Sequence, residues 1–155
     1  MPRPAPRPFG PADVDGVTAL ERAVFGDPWS RRAFEEILGL EHVQGFVVEG
    51  ARGDVAGYAF GSAVADEAEI LNLAVAPAHR RRGLGRVLLD ACLGWMAARG
   101  AARVYLEVRR SNGAALAMYG AAGFETLGVR PDYYRKPTED AVTMALDLAP
   151  RPAGK

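Results

Sequence analysis

Between Pro11 and Phe25 the apolar residues Val14, Val17, Leu20, Val24 and Phe25 recur at intervals of three and four, the spacing that gathers side chains on one face of a helix. Pro11 suits a first turn and Gly26 an exit, so a helix is expected across this span. Ser30, in "GDPWS", can cap a short second helix through Leu38, with Phe34, Ile37 and Leu38 turned inward and Gly39 as the stop. The period then changes. "GFVVEG" and "VAGYAFGSAV" are β-branched and aromatic runs separated by "ARGD", which has the residues of a tight hairpin turn. Arg52-Gly53-Asp54 therefore reads as a turn and not as an adhesion signal. "AEILNLAV" follows closely enough to continue an antiparallel meander.

Helical spacing returns with Leu84, Val87, Leu88, Ala91, Cys92 and Trp95, and Gly100 can end that helix. "ARVYLEV" is then a strand, and "NGAALAMYGAAG" a helix begun by Asn112 and ended near Gly123. "FETLGV" and "AVTMALDL" are two more strands, with "VRPDYYRKPTED" as the connection between them. Strand, helix, strand around residues 70 to 108 implies a right-handed crossover between parallel neighbours in an otherwise antiparallel sheet. The expected fold class is therefore α/β (α+β): a twisted, mostly antiparallel sheet of roughly six to seven strands, flanked by about four helices, with one parallel pair.

Composition adds bounds. The 155 residues suit one domain, expected over residues 9–148, with a flexible proline-rich lead-in at 1–8 and a disordered tail at 149–155. The start "MPRPAPRP" has arginines but no apolar stretch behind them, so it does not read as a signal peptide, and no apolar run approaches the roughly 18 residues of a membrane span. Cys92 is the only cysteine; an internal disulfide is ruled out, and a buried thiol in a cytoplasmic protein is expected. With 19 basic and 19 acidic residues the formal net charge is zero. That removes the broad field that attracts nucleic acid, so any anion must be caught locally. A monomer or weak dimer is expected, with neither nucleic acid nor membrane as a direct partner.

The local candidate is "HRRRGLGR" at 79 to 86, which lies between the strand ending at Val75 and the helix from Leu84. No "GK[ST]" follows, and the three glycines of the dinucleotide fingerprint are missing. A helix N-terminus nevertheless offers unpaired N–H groups and the positive end of a dipole, and glycines admit a ligand close to backbone. A pyrophosphate fits such a place; a plain turn with solvated arginines is the alternative. The pattern R-x-x-G-x-G after a strand and before an amphipathic helix resembles the acetyl-coenzyme A signature of the GNAT acetyltransferase superfamily. That resemblance implies acetyl-CoA as cosubstrate, with the backbone of Leu73, Ala74 and Val75 along the pantetheine arm. Arg81, Arg82, Gly83, Leu84, Gly85 and Arg86 would cradle the pyrophosphate.

Within the superfamily, "DPWS", "AEILNLAV", "LEVRRSNGAALAMYGAAGF" and "YYRKPTEDAVTMAL" are similar to the RimI family of bacterial ribosomal-protein-alanine N-acetyltransferases, over about Val17 to Leu148. The implied reaction is acetyl transfer to a protein α-amino group, the partner being the N-terminal alanine of a ribosomal protein. Chemistry gives the candidate residues their roles. An α-amine has a pKa near 8 and must lose a proton before it attacks a thioester, so a base is useful. Alternation puts Glu107 on the strand face with Tyr105 and Arg109, opposite Val104, Leu106 and Val108. Taken alone this is a solvent-facing glutamate; the resemblance implies a general base acting through water. Expulsion of the coenzyme A thiolate is helped by an acid, and the resemblance assigns that to Tyr119, which is otherwise a core tyrosine. Asn112 can cap its helix and, as in the family, hydrogen-bond the cofactor.

For the acceptor, Tyr133, Tyr134 and Glu139 are candidates, an aromatic wall plus a carboxylate suiting a short cationic peptide end. Here "RPDYYRKP" departs from the family's "RxNYYP", which puts peptide preference in question more than catalysis. Trp29 is expected to anchor packing between the first two helices. His42 and His79 have no metal-ligand partners at suitable spacing, and no metal is expected. Two rivals stay open: a GNAT enzyme acting on lysine side chains or a small amine, and a non-catalytic acetyl-CoA sensor.

Overall fold

The computed structural model describes residues 5–148; the rest of the expected lead-in (1–4) and the expected tail (149–155) lie outside them. The meander expected from the alternating runs forms strands β2 (Val43–Glu49), β3 (Val55–Val64) and β4 (Glu67–Val75). They are joined edge to edge in antiparallel register. The second half contributes β5 (Arg103–Arg109), β6 (Glu125–Tyr134) and β7 (Glu139–Asp147), and a short β1 (Arg7–Pro8) opens the chain. Among the described residues four α-helices accompany them: α1 (Val14–Val24), α2 (Arg31–Ile37), α3 (Leu84–Ala98) and α4 (Gly113–Ala121). The seven strands lie in the order β1-β2-β3-β4-β5-β7-β6, and β4–β5 is the parallel pair.

Outside the exposed edge strand β6, the sheet is buried on both faces. On one, Leu84, Leu88, Leu89, Cys92 and Met96 of α3 pack on Ala59, Ala63, Ile70, Val104 and Leu106, with Tyr119 and Phe124 beside them. On the other, α1 and α2 cover β2 and β3 through Val14, Val17, Leu20, Phe34, Tyr58 and Phe60. Trp29 anchors this layer as expected, its ring 5.5 Å from Phe34 and 6.1 Å from Phe60. Ser30 caps α2 by accepting from the Ala33 N–H at 3.1 Å.

Three boundaries differ from expectation. Arg7 and Pro8, assigned to the lead-in, pair with Val47 and Phe46; Arg7 is held there by a bidentate bond to Asp13 (2.7 and 2.8 Å) and a further bond to Glu49. A 3-10 turn at Pro11–Asp13 takes the first turn of the expected first helix. Finally, β6 runs on to Tyr134, because an irregularity between Arg130 and Tyr134, with Asp132 at φ 52°, restores pairing of Tyr134 with Glu139. The expected connection thus shrinks to residues 135–138.

One irregularity creates the site. Opposite Phe60 and Gly61 stand Asn72 and Ile70, leaving Leu71 unmatched. A bulge of one residue reverses the alternation beyond it. Ala68 and Ile70 face α3 before the bulge, and Leu73 and Val75 face α3 after it, while Leu71 and Ala74 turn toward α1 and α2. The parallel ladder with β5 stops just before the bulge, at Glu69↔Tyr105. Beyond that point β4 and β5 diverge, and the edge of residues 70–75 that faces β5 is left without a strand partner.

Candidate active site

The divergence opens a cleft of about 920 Å³ between β4 and β5. One end is built by the glycine-rich loop. Gly83 takes φ 76°, a left-handed conformation that favours glycine. The first bond of α3 runs from the Val87 N–H to the Gly83 carbonyl at 3.1 Å, so the N–H groups of Leu84, Gly85 and Arg86 have no acceptor within the helix. Gly85 packs close to α4: a Cβ there would stand 2.9 Å from Met118 Sδ. Arg80, Arg81 and Arg86 border the same end, with Arg80 Nε donating to the Val75 carbonyl at 3.2 Å. The open β4 edge at Leu73, Ala74 and Val75 forms one wall. Unpaired strand backbone, helix-terminal amides and arginines suit the polar arm and pyrophosphate of acetyl-CoA, so the residues fit that group. Arg82 is exposed and does not border the cleft.

Glu107 and Tyr119 also line the cleft. Alternation of β5 sends Val104, Leu106 and Val108 into the α3 core and Glu107 to the opposite face. The Glu107 side chain is 16% exposed, and its Oε2 lies 3.3 Å from Arg130 Nη1 without a well-formed hydrogen bond. Glu69, one ladder step away beside Tyr105, has its carboxyl pushed up by burial and then by the negative charge of Glu107. Tyr119 is 6% exposed and packs edge-on against Phe124 at 5.6 Å. Burial, and after it nearby Cys92 and Tyr134, pushes its hydroxyl above the usual phenol range. It therefore holds its proton through neutral pH, the state an acid needs. Cys92 lies in the α3 core, its thiol pushed up to about 12 by burial, so it takes no part. Asn112 borders the cleft and also caps α4, its Oδ1 accepting from the Ala115 N–H at 3.1 Å.

The far end is framed by Trp29 of the α1–α2 connection and by Tyr133 and Tyr134 of β6. The tyrosine rings stand edge to face, 5.1 Å apart. Burial raises both hydroxyls, Tyr134 to about 12. Glu139 is not in this wall. Its Oε2 accepts from the Ser111 N–H at 2.6 Å and its Oε1 from Arg109 at 3.3 Å, so it ties β7 to the end of β5. Arg109, unmarked in the sequence reading, is the hub of this end. It donates to the Arg135 and Pro137 carbonyls at 2.9 and 3.0 Å and stacks on Tyr134 at 4.5 Å. Arg130, Glu69 and Glu21 were likewise unmarked; each meets its partners only through the sheet register or the bulge. His79 borders the cleft, 3.5 Å from Asp54.

The sequence profile of the Acetyltransferase (GNAT) family matches residues 14–124. The chain is 36% identical over 141 residues to ribosomal protein bS18-alanine N-acetyltransferase of Escherichia coli, covering 88% of this chain and 93% of that protein. It is 40% identical over 142 residues to N-alpha-acetyltransferase RimI of Mycobacterium tuberculosis, covering 88% and 87%. The crystal structure of the ribosomal-protein-S18-alanine N-acetyltransferase from Escherichia coli superposes with a TM-score of 0.87 at 32% identity, over 99% of each chain.

Proposed function

The chain belongs to the GNAT acetyltransferase family, and from that premise we propose that it transfers an acetyl group from acetyl-CoA to the α-amino group of a protein N-terminus, with N-terminal alanine of a ribosomal protein as acceptor. The observation that carries this reading is what one cleft brings together: helix-terminal amides with arginines, a glutamate, a protonated tyrosine and an aromatic frame. The names of the relatives agree with it. The same reading puts the enzyme in the cytoplasm, as a monomer or weak dimer.

When bound, acetyl-CoA supplies the acetyl thioester. The chain's residues do the rest. Leu73 to Val75, the amides from Leu84 to Arg86, Arg81 and Asn112 hold the cosubstrate against β4. Trp29, Tyr133 and Tyr134 enclose the acceptor's first residue and exclude water. Glu107 receives a proton from the acceptor amine, through a water molecule if the two are not in direct reach, and Tyr119 donates its hydroxyl proton to the departing sulfur. Glu139 and Arg109 position the frame.

Mass spectrometry of the protein with acetyl-CoA and three short peptides tests the proposal. One peptide has a free N-terminal alanine, one a blocked terminus with a free lysine, and one has both groups blocked. An acetyl group on the free alanine alone is the expected result. Modification of lysine alone would overturn the acceptor assignment, and no modification despite acetyl-CoA binding would favour a sensor.

A further inference from the structure

Glu21 of α1 is the most deeply buried carboxylate among the described residues, 2% exposed, and it borders the cleft. Its Oε1 accepts from the Tyr58 hydroxyl and from Asn72 Nδ2 at 2.8 Å, and its Oε2 accepts from the Trp29 N–H at 2.8 Å. An ionised carboxylate has about four acceptor positions. Three are filled here, and the fourth is on Oε2. All three donors are neutral, so they solvate the charge without cancelling it, whereas Glu107 has the Arg130 guanidinium 3.3 Å away. Among the described residues, no cation is paired with Glu21.

The cleft needs such an anion. Among the described residues five arginines border it (Arg80, Arg81, Arg86, Arg109 and Arg135), of which Arg86 and Arg109 are paired with Asp90 and Glu139. An α-amine with a pKa near 8 reaches it at neutral pH mainly as a cation, and the arginines without an acidic partner among the described residues, Arg80, Arg81 and Arg135, oppose that entry. Asp27, the remaining carboxylate at the wall among the described residues, is exposed and its field is screened by water. A buried charge is screened far less.

We infer that Glu21 is a second carboxylate of the acceptor subsite: its open Oε2 position takes an N–H of the incoming α-ammonium, directly or through one water, and holds the cation while Glu107 receives the proton. The inference rests on the acceptor being an α-amine, as proposed above. Glu21 thereby also links recognition to the fold, since the bonds that orient it come from the bulge (Asn72), from β3 (Tyr58) and from the loop carrying Trp29.

The test compares two ligands that differ only in charge: a short peptide with N-terminal alanine, and the same peptide with a propionyl group in place of alanine. Affinities are measured at pH 7 by calorimetry on protein saturated with CoA. The wild type should prefer the amine by at least about tenfold, the worth of one hydrogen bond to a charged group. In Glu21→Gln that ratio should collapse toward one. In Tyr58→Phe, which removes one tether but keeps the charge, the ratio should persist. An unchanged ratio in Glu21→Gln, whether both peptides weaken equally or neither does, overturns the inference. Should Glu21→Gln not fold, a structure of the wild type with CoA and the alanine peptide decides. Nitrogen within hydrogen-bond distance of Oε2, or bridged to it by one water, supports the inference, and nitrogen without such a path overturns it. Failure of the wild type to acetylate any alanine peptide overturns the functional proposal and this inference with it; acetylation with an unchanged ratio overturns this inference alone.

Discussion

An alanine at Gly26 should damage the acceptor end of the cleft and leave the cosubstrate end intact. Gly26 lies between α1 and α2, and its α-carbon faces the backbone of Lys136 in the β6–β7 turn. An added Cβ would sit deep inside the contact shell of the Lys136 carbonyl oxygen and 3.1 Å from its carbonyl carbon. Ordinary C···O approach is roughly 3.3–3.6 Å, and neither backbone can rotate away as a side chain would. The two loops must therefore part by on the order of 1 Å. Gly26 has no left-handed φ, so the effect is purely steric. The first loop carries Trp29 and the second directly follows Tyr133 and Tyr134 of β6, and misplacing an acceptor by about 1 Å costs about 100-fold, close to 2.7 kcal/mol. Steady-state kinetics with the alanine peptide should show kcat/KM falling by about that factor, while calorimetry shows acetyl-CoA affinity unchanged. Unaltered peptide kinetics, or an equal loss of acetyl-CoA affinity, would refute the argument that these loops frame the acceptor.

Glu107→Gln should lower kcat by about 10²- to 10⁴-fold, the usual worth of a positioned base, with acetyl-CoA affinity retained in calorimetry. Tyr119→Phe should lower kcat comparably; because burial raises its hydroxyl, the wild-type rate should show no falling limb up to about pH 9. The Arg7 guanidinium, ahead of every other influence, holds the Asp13 carboxyl below its usual range. Its contribution to stability is present above the unfolded value of about 3.9 and is lost as pH falls through the folded one. The urea midpoint should thus drop more between pH 5 and pH 3 for the wild type than for Asp13→Asn. Native protein at pH 8 should resist iodoacetamide at Cys92, whose buried thiol is pushed up to about 12, and denatured protein should react at once.

Helices α1 and α3 and the alternation of β5 were legible because each is a local pattern with one competing period at most. The glycine-rich turn was legible for the same reason: Gly83 and Gly85 serve a backbone geometry that their residue type announces. What escaped reading depends on two segments meeting. The bulge at Leu71 lies within an unbroken apolar run, and only the register with Phe60 and Gly61 exposes it. Nothing local marks Glu21, since its partners Tyr58 and Asn72 are far away along the chain. Glu139 was assigned to the acceptor because it follows the tyrosines in sequence; the turn at residues 135–138 instead carries it back to Ser111 and Arg109. Arg7 and Pro8 read as lead-in because a two-residue strand leaves no period at all.

The open edge of β4 also makes this enzyme an incompletely paired sheet. A ligand that lies along residues 70–75 completes the ladder, so its binding free energy is at the same time folding free energy. At a hundredfold excess over its dissociation constant it adds about 2.7 kcal/mol to stability. The melting temperature should therefore climb with acetyl-CoA concentration. In a cell, protein turnover would follow suit: starved of its acetyl donor, the chain opens more often and meets proteases sooner, so the amount of enzyme would track the supply of what it consumes.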